Sequence, residues 1–259
     1  MKGKKWILPL CGAVMAAAGI ILAMITRSGA VAPGAASAST IPFSLGLILT
    51  VCGIVIVIGG CLPKAKPVPV KTLSMAALFA ALCYVGFSLF RIDIPVGDSS
   101  TAFHLGNVFC VLAALFLGGT WGGMAGAVGM TIADLMIPAY ITSAPKTFLL
   151  KLGIGLVTGF VAHKIFRISQ EKARKIPMAA ATVISCAAGM LFNVIADPLV
   201  GYFYKMYVLG VPQQAATIWA KMGAMTTAVN AVVAVIAATV FYLALRPALK
   251  RSNLLPQVK

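Results

Sequence analysis

Three charged side chains, Asp134, Lys146 and Lys151, stand near the ends of apolar runs between His104 and Lys164. An ionised group in a low-dielectric interior is expensive, so it is retained where it pairs or meets a ligand. Asp134 falls about one helical turn inside the end of one run, and Lys151 a similar distance inside the next. A short loop joins the two runs. The residues are therefore expected at matching depth on antiparallel neighbours, paired directly or through one intermediary. Such a pair serves equally as a structural brace or as a ligand contact. Asn193 and Asp197 are four apart and share a helix face. Asn230 lies in the middle of an apolar run, where a buried amide needs partners from other helices or from a polar ligand. His104 and Asn107 open a further run, and a helix start there offers free backbone N–H groups. His104 fits a cap or an interfacial position as well as a contact. Donors and acceptors of this kind suit the capture of a small polar molecule.

Other chemistries lack their residues. No Walker A loop is present, and no HExxH or GxSxG pattern. The six cysteines, Cys11, Cys52, Cys61, Cys83, Cys110 and Cys186, show no CxxC spacing and sit in or beside apolar runs. Neither a zinc site nor a disulfide framework is indicated. No catalytic residues, metal or cofactor are expected. Tyr84, Phe87, Phe90, Tyr140, Tyr202, Tyr204, Tyr207 and Trp219 gather toward the ends of runs, as an interfacial aromatic belt does. One or two of them could stack on a flat heterocycle.

The elements that must position these residues are membrane spans. Hydrophobic residues make up 61% of the chain and charged residues 10%, against about half and a quarter in a soluble domain. Apolar runs near the ~20 residues that cross a bilayer recur at about 6–26, 41–62, 72–90, 103–118, 121–139, 146–166, 177–204 and 216–245. The reading is an all-α polytopic membrane protein. The first run is longer than the core of a secretory signal, which favours a retained helix. An even number of spans puts both termini on one side. Most of the 21 basic residues then fall in 1–5, 63–71, 163–175 and 246–259, which makes that side cytoplasmic. The net charge of +16 is thus topological, and no nucleic-acid partner is expected. Asp93, Asp98, Asp134 and Asp197 collect toward the outer half. Four segments follow: a transmembrane hairpin over 1–62, a cytoplasmic linker over 63–71, a six-helix substrate-binding core over 72–246, and a basic cytoplasmic tail over 247–259.

Small residues mark close helix contacts. Ala76 and Ala80 are four apart, as are Ala77 and Ala81. That spacing lets another helix approach, from within the chain or from a partner. Gly122, Gly126, Gly129, Gly155 and Gly159 read the same way, as internal packing.

At these residues the chain resembles the substrate-binding S component of an energy-coupling factor (ECF) vitamin transporter. The resemblance covers the six-helix core. It rests on HLGN at 104–107, LAALFLGGTWGGMAGAVGMTIADLM at 112–136, KLGIGLVTGFVAHK at 151–164 and NVIADPL at 193–199. It implies a subunit that captures a water-soluble vitamin or precursor at the outer face. The subunit would then dock through small-residue surfaces on a transmembrane coupling subunit with two ATPase subunits. ATP use there topples the S component and releases the ligand inside, so the chain itself hydrolyses nothing. The branch it looks closest to is associated with riboflavin, pyridoxine and hydroxymethylpyrimidine-type substrates. Carried onto matching positions, His104, Asn107, Asp134, Lys151, Asn193 and Asp197 are pocket or pocket-supporting residues. Ala76, Ala77, Ala80 and Ala81 are the docking candidates. The family often has an acid after HLG, where this chain has Asn107. Residues 1–62 lie outside the six-helix pattern. Two other classes compete: a membrane scaffold that recruits a partner through the hairpin, and a stand-alone secondary transporter. The shortage of carboxylates at membrane depth disfavours the latter.

Overall fold

A computed structural model describes residues 69–97, 99–170, 176–252 and 254–255. The two expected spans of the N-terminal hairpin, residues 63–68 of the linker and the end of the tail lie outside the described residues. Tyr140–Pro145 separates from the compact body formed by Pro69–Ala139 and Lys146–Lys259. It contains a short 3-10 turn, Ile141–Ser143, in which the Ser143 N–H donates to the Tyr140 carbonyl at 2.7 Å.

Six helices organise the described residues. Helix α1 spans Val70–Ser88 and begins directly after Pro69. Helix α2 spans Gly106–Leu117, α3 Gly119–Met136 and α4 Ala144–Gly159. Helix α4 widens into a π-helical turn over Phe160–Ile165. Helix α5 spans Met178–Phe203 and ends in a similar turn over Tyr204–Val208. Helix α6 spans Gln213–Arg251. Four helical segments, Val70–Ser88, Ile141–Ile165, Met178–Val208 and Gln213–Arg251, are long and apolar enough to cross a membrane. The core is thus an all-α membrane architecture.

The expected boundaries shift in two places. Helix α6 continues through Pro247 to Arg251 and does not stop at 246. The span expected over 103–118 is a helix only from Gly106, and its 12 residues measure about 18 Å. The stretch before it, expected to be an outer loop, forms an antiparallel hairpin. Strand β1, Arg91–Val96, pairs with β2, Ser99–His104, in a register that sets Arg91 opposite His104 and Val96 opposite Ser99. Two residues remain for the turn, and Gly97 there has φ +59°. Such tight hairpin turns require that sign, which glycine adopts freely.

Helix α2 is the axis of the body. It is apolar on all sides and nearly every residue is buried, as befits a helix surrounded by others. Helices α1 and α3 pack on it and on each other, α6 covers another side, and α5 pairs with α6. Gly118, with φ +83°, turns the chain from α2 directly into α3. Helix α4 lies against α3 along a glycine seam in which Gly155 meets Gly123 backbone to backbone. A side chain at Gly155 would strike that backbone, so the seam depends on the missing Cβ.

The hairpin is fastened to α6. Asn230 donates from Nδ2 to the Ala102 carbonyl at 3.0 Å and accepts the His104 N–H on Oδ1 at 3.1 Å. One turn away, the hydroxyls of Thr226 and Thr101 meet at 2.7 Å. Asn230 therefore satisfies strand backbone groups. This answers the question of its partners that the sequence left open.

Candidate functional site

The polar side chains of the body come from the end of the hairpin and from α2, α3, α4 and α5, while the hairpin itself packs on α1 and α6. Strand β2 ends at His104 and α2 starts at Gly106, so His104 and Asn107 enter from adjacent elements. The His104 ring lies against Phe87, with ring centres 4.7 Å apart, and its Nδ1 is buried without a hydrogen-bond partner. Asn107 sits in the first turn of α2 and is 1% exposed. Its Oδ1 accepts a hydrogen bond from the Lys151 ammonium at 2.9 Å. Lys151 projects from α4 and is 7% exposed, and its carbonyl accepts the Cys110 thiol at 3.6 Å.

Asp134, near the end of α3, is 2% exposed. It takes a hydrogen bond from Thr147, and its Oδ2 is buried with no partner. Asn193 on α5 is 1% exposed, and its Oδ1 is likewise unpartnered. Asp197, one turn further along α5, is fully engaged. Its Oδ1 accepts from Lys146 at 2.9 Å and its Oδ2 from the Thr227 hydroxyl at 2.9 Å. It therefore ties α4, α5 and α6 together.

These charges form one electrostatic group. Lys151 lies within reach of Asp197, Lys146 and Asp134, and His104 within reach of Lys151, Asp197 and Arg91. Of the six residues expected at the pocket, His104, Asn107, Asp134, Lys151 and Asp197 are thereby brought together. Asn193, four residues before the half-buried Asp197, shares its face of α5. One expectation is overturned. Among the described residues Asp134 and Lys151 make no direct ion pair, because α2 inserts Asn107 as the lysine's partner while Thr147 serves Asp134, and the two charges stay within electrostatic reach. The ion pair at this level is Lys146–Asp197.

The sequence reading also missed contributors. In the sequence Lys146 stands only as a charge with nothing to place it in the site, and no motif marks Thr147, Thr227 or Lys205. Thr147 and Lys151 are four apart on α4, a spacing that signals a shared face. Lys205 stands over the Trp219 ring at 4.6 Å from its centre. No sequence spacing links that pair. Among the described residues, no group of three or more His, Cys, Asp or Glu is placed to hold a metal ion.

The four alanines of α1 divide between two faces. Ala76 is buried, and Ala80 is half-buried with its carbonyl against Gly129 of α3. Ala77 and Ala81 are exposed, flanked by exposed Leu73 and Leu78. The first pair serves packing inside the body. The second lines an open surface.

Three buried polar atoms without partners, on His104, Asp134 and Asn193, are costly at about 1–3 kcal/mol each. Buried polar atoms in folded proteins are nearly always satisfied, so such orphans invite a ligand; hydroxyls of Ser88, Thr131, Thr158 and Thr239 are unpartnered too. The family model described as ECF-type riboflavin transporter, S component, matches residues 68–247. No curated protein and no solved structure matches. The matched segment starts just before α1 and ends within α6, so it takes in five helices whole, most of α6 and every residue of the polar centre. The chain belongs to the ECF-type riboflavin transporter S component family.

Proposed function

We propose that the polar centre beneath the hairpin is the substrate site of an ECF-type importer. Its substrate is a water-soluble vitamin or precursor of the riboflavin, pyridoxine or hydroxymethylpyrimidine type. The observation that carries this reading is the pair of unpartnered, buried atoms on His104 and Asp134, both within electrostatic reach of Lys151. A heterocycle bearing both donors and acceptors would satisfy them. Asn107 and Asp197 support the site by fixing Lys151 and Lys146.

The family and the apolar helices support a membrane location. The distribution of lysine and arginine supports cytoplasmic termini, which turns the hairpin end outward. The ligand would then be taken at the outer face. Transport would fall to partners, a transmembrane coupling subunit and two ATPase subunits. The exposed Ala77–Ala81 face of α1 would supply the contact with the coupling subunit. The chain itself would bind and release without covalent chemistry.

Calorimetry on the purified protein with riboflavin, pyridoxine and hydroxymethylpyrimidine tests the reading. One of the three should bind, and Asp134→Asn should weaken it. Absence of binding across the panel would count against the assignment.

A further inference from the structure

Lys151 is buried in the polar centre and has no carboxylate bound to it. Its ammonium carries three N–H donors. Among the described residues, its one hydrogen-bond acceptor is Asn107 Oδ1 at 2.9 Å, which is neutral. Neither nearby acid forms an ion pair with it, although Asp134 keeps one oxygen unpartnered within its electrostatic reach. Asp197 spends one oxygen on Lys146 and the other on Thr227. Asp134 is bonded by Thr147 and makes no ion pair with Lys151.

The wider group has the same bias. Lys205 lies within electrostatic reach of Lys146 and Asp197, so it joins the centre. Lys146, Lys151 and Lys205 then face Asp134 and Asp197, which leaves one positive charge in excess. Arg91, the remaining cation nearby, is already paired with Asp93 at 3.0 Å. A buried cation whose only partner is a neutral amide is costly, and the cost falls when an anion arrives. Hydrogen bonds from an ammonium to an anionic oxygen are also about twice as strong as neutral ones.

We propose that the ligand of this centre carries an anionic oxygen, as a phosphate monoester or a carboxylate, and seats it on the Lys151 ammonium beside Asn107. The inference rests on the reading of the centre as the substrate site. Within that reading it names the charged form of the vitamin-type heterocycle as the preferred one. The neutral side chain of Asn107 is the specificity element, because it positions Lys151 without neutralising it.

The test uses the full-length protein in detergent and two ligand sets that share a ring but differ in charge. Pyridoxine is compared with 4-pyridoxic acid and with pyridoxine 5′-phosphate, and riboflavin with riboflavin 5′-phosphate. An anionic member should bind at least about tenfold tighter than its neutral parent. The carboxylate and phosphate arms identify which oxyanion is taken. Lys151→Met should erase the preference. Asn107→Asp should erase it too, and it protects against a folding artefact because it gives Lys151 a carboxylate in place. A neutral parent that binds as tightly as its anionic partner overturns the inference and leaves the site reading standing. A preference that survives Asn107→Asp also overturns it. Binding of no member of either set, nor of hydroxymethylpyrimidine or its phosphate, overturns the site reading and the inference together.

Discussion

The Lys146 ammonium reaches Asp197 Oδ1 at 2.9 Å, from the first turn of α4 to the last third of α5. The carboxylate's second oxygen accepts from Thr227 of α6, so one side chain joins three helices. Helix α5 carries Pro198 directly after it, where a backbone hydrogen bond is missing. The tie therefore braces the helix at its weak point. It also holds Asn193 and Asp197 at the level of Lys151.

Asp197→Asn should lower the stability of the body. Breaking a buried pair costs about 3–5 kcal/mol, and partial exposure of both side chains reduces this to about 1–3 kcal/mol. Thermal unfolding in detergent should show a clear fall in midpoint. Lys146→Met combined with Asp197→Leu should lose less than the two single changes summed, because neither charge is left stranded. Strict additivity would mean that the pair carries no coupling.

The hairpin depends on one amide. Asn230→Ala removes the partners of the His104 N–H and the Ala102 carbonyl together. Two backbone groups left unmet cost about 1–3 kcal/mol each, less whatever water restores. Hydrogen exchange across Ser99–His104 should accelerate, while α2 stays protected. Ligand dissociation should quicken, since His104 is positioned by that bond. Unchanged exchange in the strand would show that Thr226 alone suffices.

How much of this was legible in the sequence varies by element. Helices α1, α3, α4, α5 and α6 follow from the length and apolarity of their runs, because a bilayer sets the length of what crosses it. The hairpin was hidden for two reasons. Ala102 and Phe103 lie next to the apolar start of α2 and merged with it, and RIDIPV is a short strand with a proline. The residues of the centre were legible because charge and amides are rare in this chain. Their pairing was not. Whether Lys151 meets Asp134 or Asn107 depends on how the helices pack around α2, and chain neighbours do not reveal that. Asn230 was noticed as a buried amide, but its partners are backbone atoms and leave no side-chain pattern to read.

The seam between α3 and α4 has no room for a side chain. Gly155→Leu would drive its side chain into the Gly123 backbone. Overpacking of a filled interior costs about 1–3 kcal/mol, and more where backbone must move. The seam also sets how α4 presents Lys151 to Asn107. The variant should unfold at a lower temperature and bind ligand more weakly. A variant of normal stability would show that the helices can slide apart without penalty.

Ala76 and Ala77 are neighbours in the chain with opposite surroundings, which makes them a controlled pair. Ala76 is buried within the body, and Ala77 is exposed between exposed Leu73 and Leu78. Ala76→Trp must displace packed neighbours, so it should destabilise the isolated protein and weaken ligand binding with it. Ala77→Trp adds a ring to an open face, so thermal stability and binding should match the wild type. If that face meets a coupling subunit at close range, the added indole prevents the approach that small residues permit. Uptake by cells carrying the whole transporter should then fail for Ala77→Trp although the purified subunit still binds. Uptake at the wild-type level would remove Ala77 from the docking surface. Loss of binding in the purified variant would show that α1 instead shapes the site from its outer side.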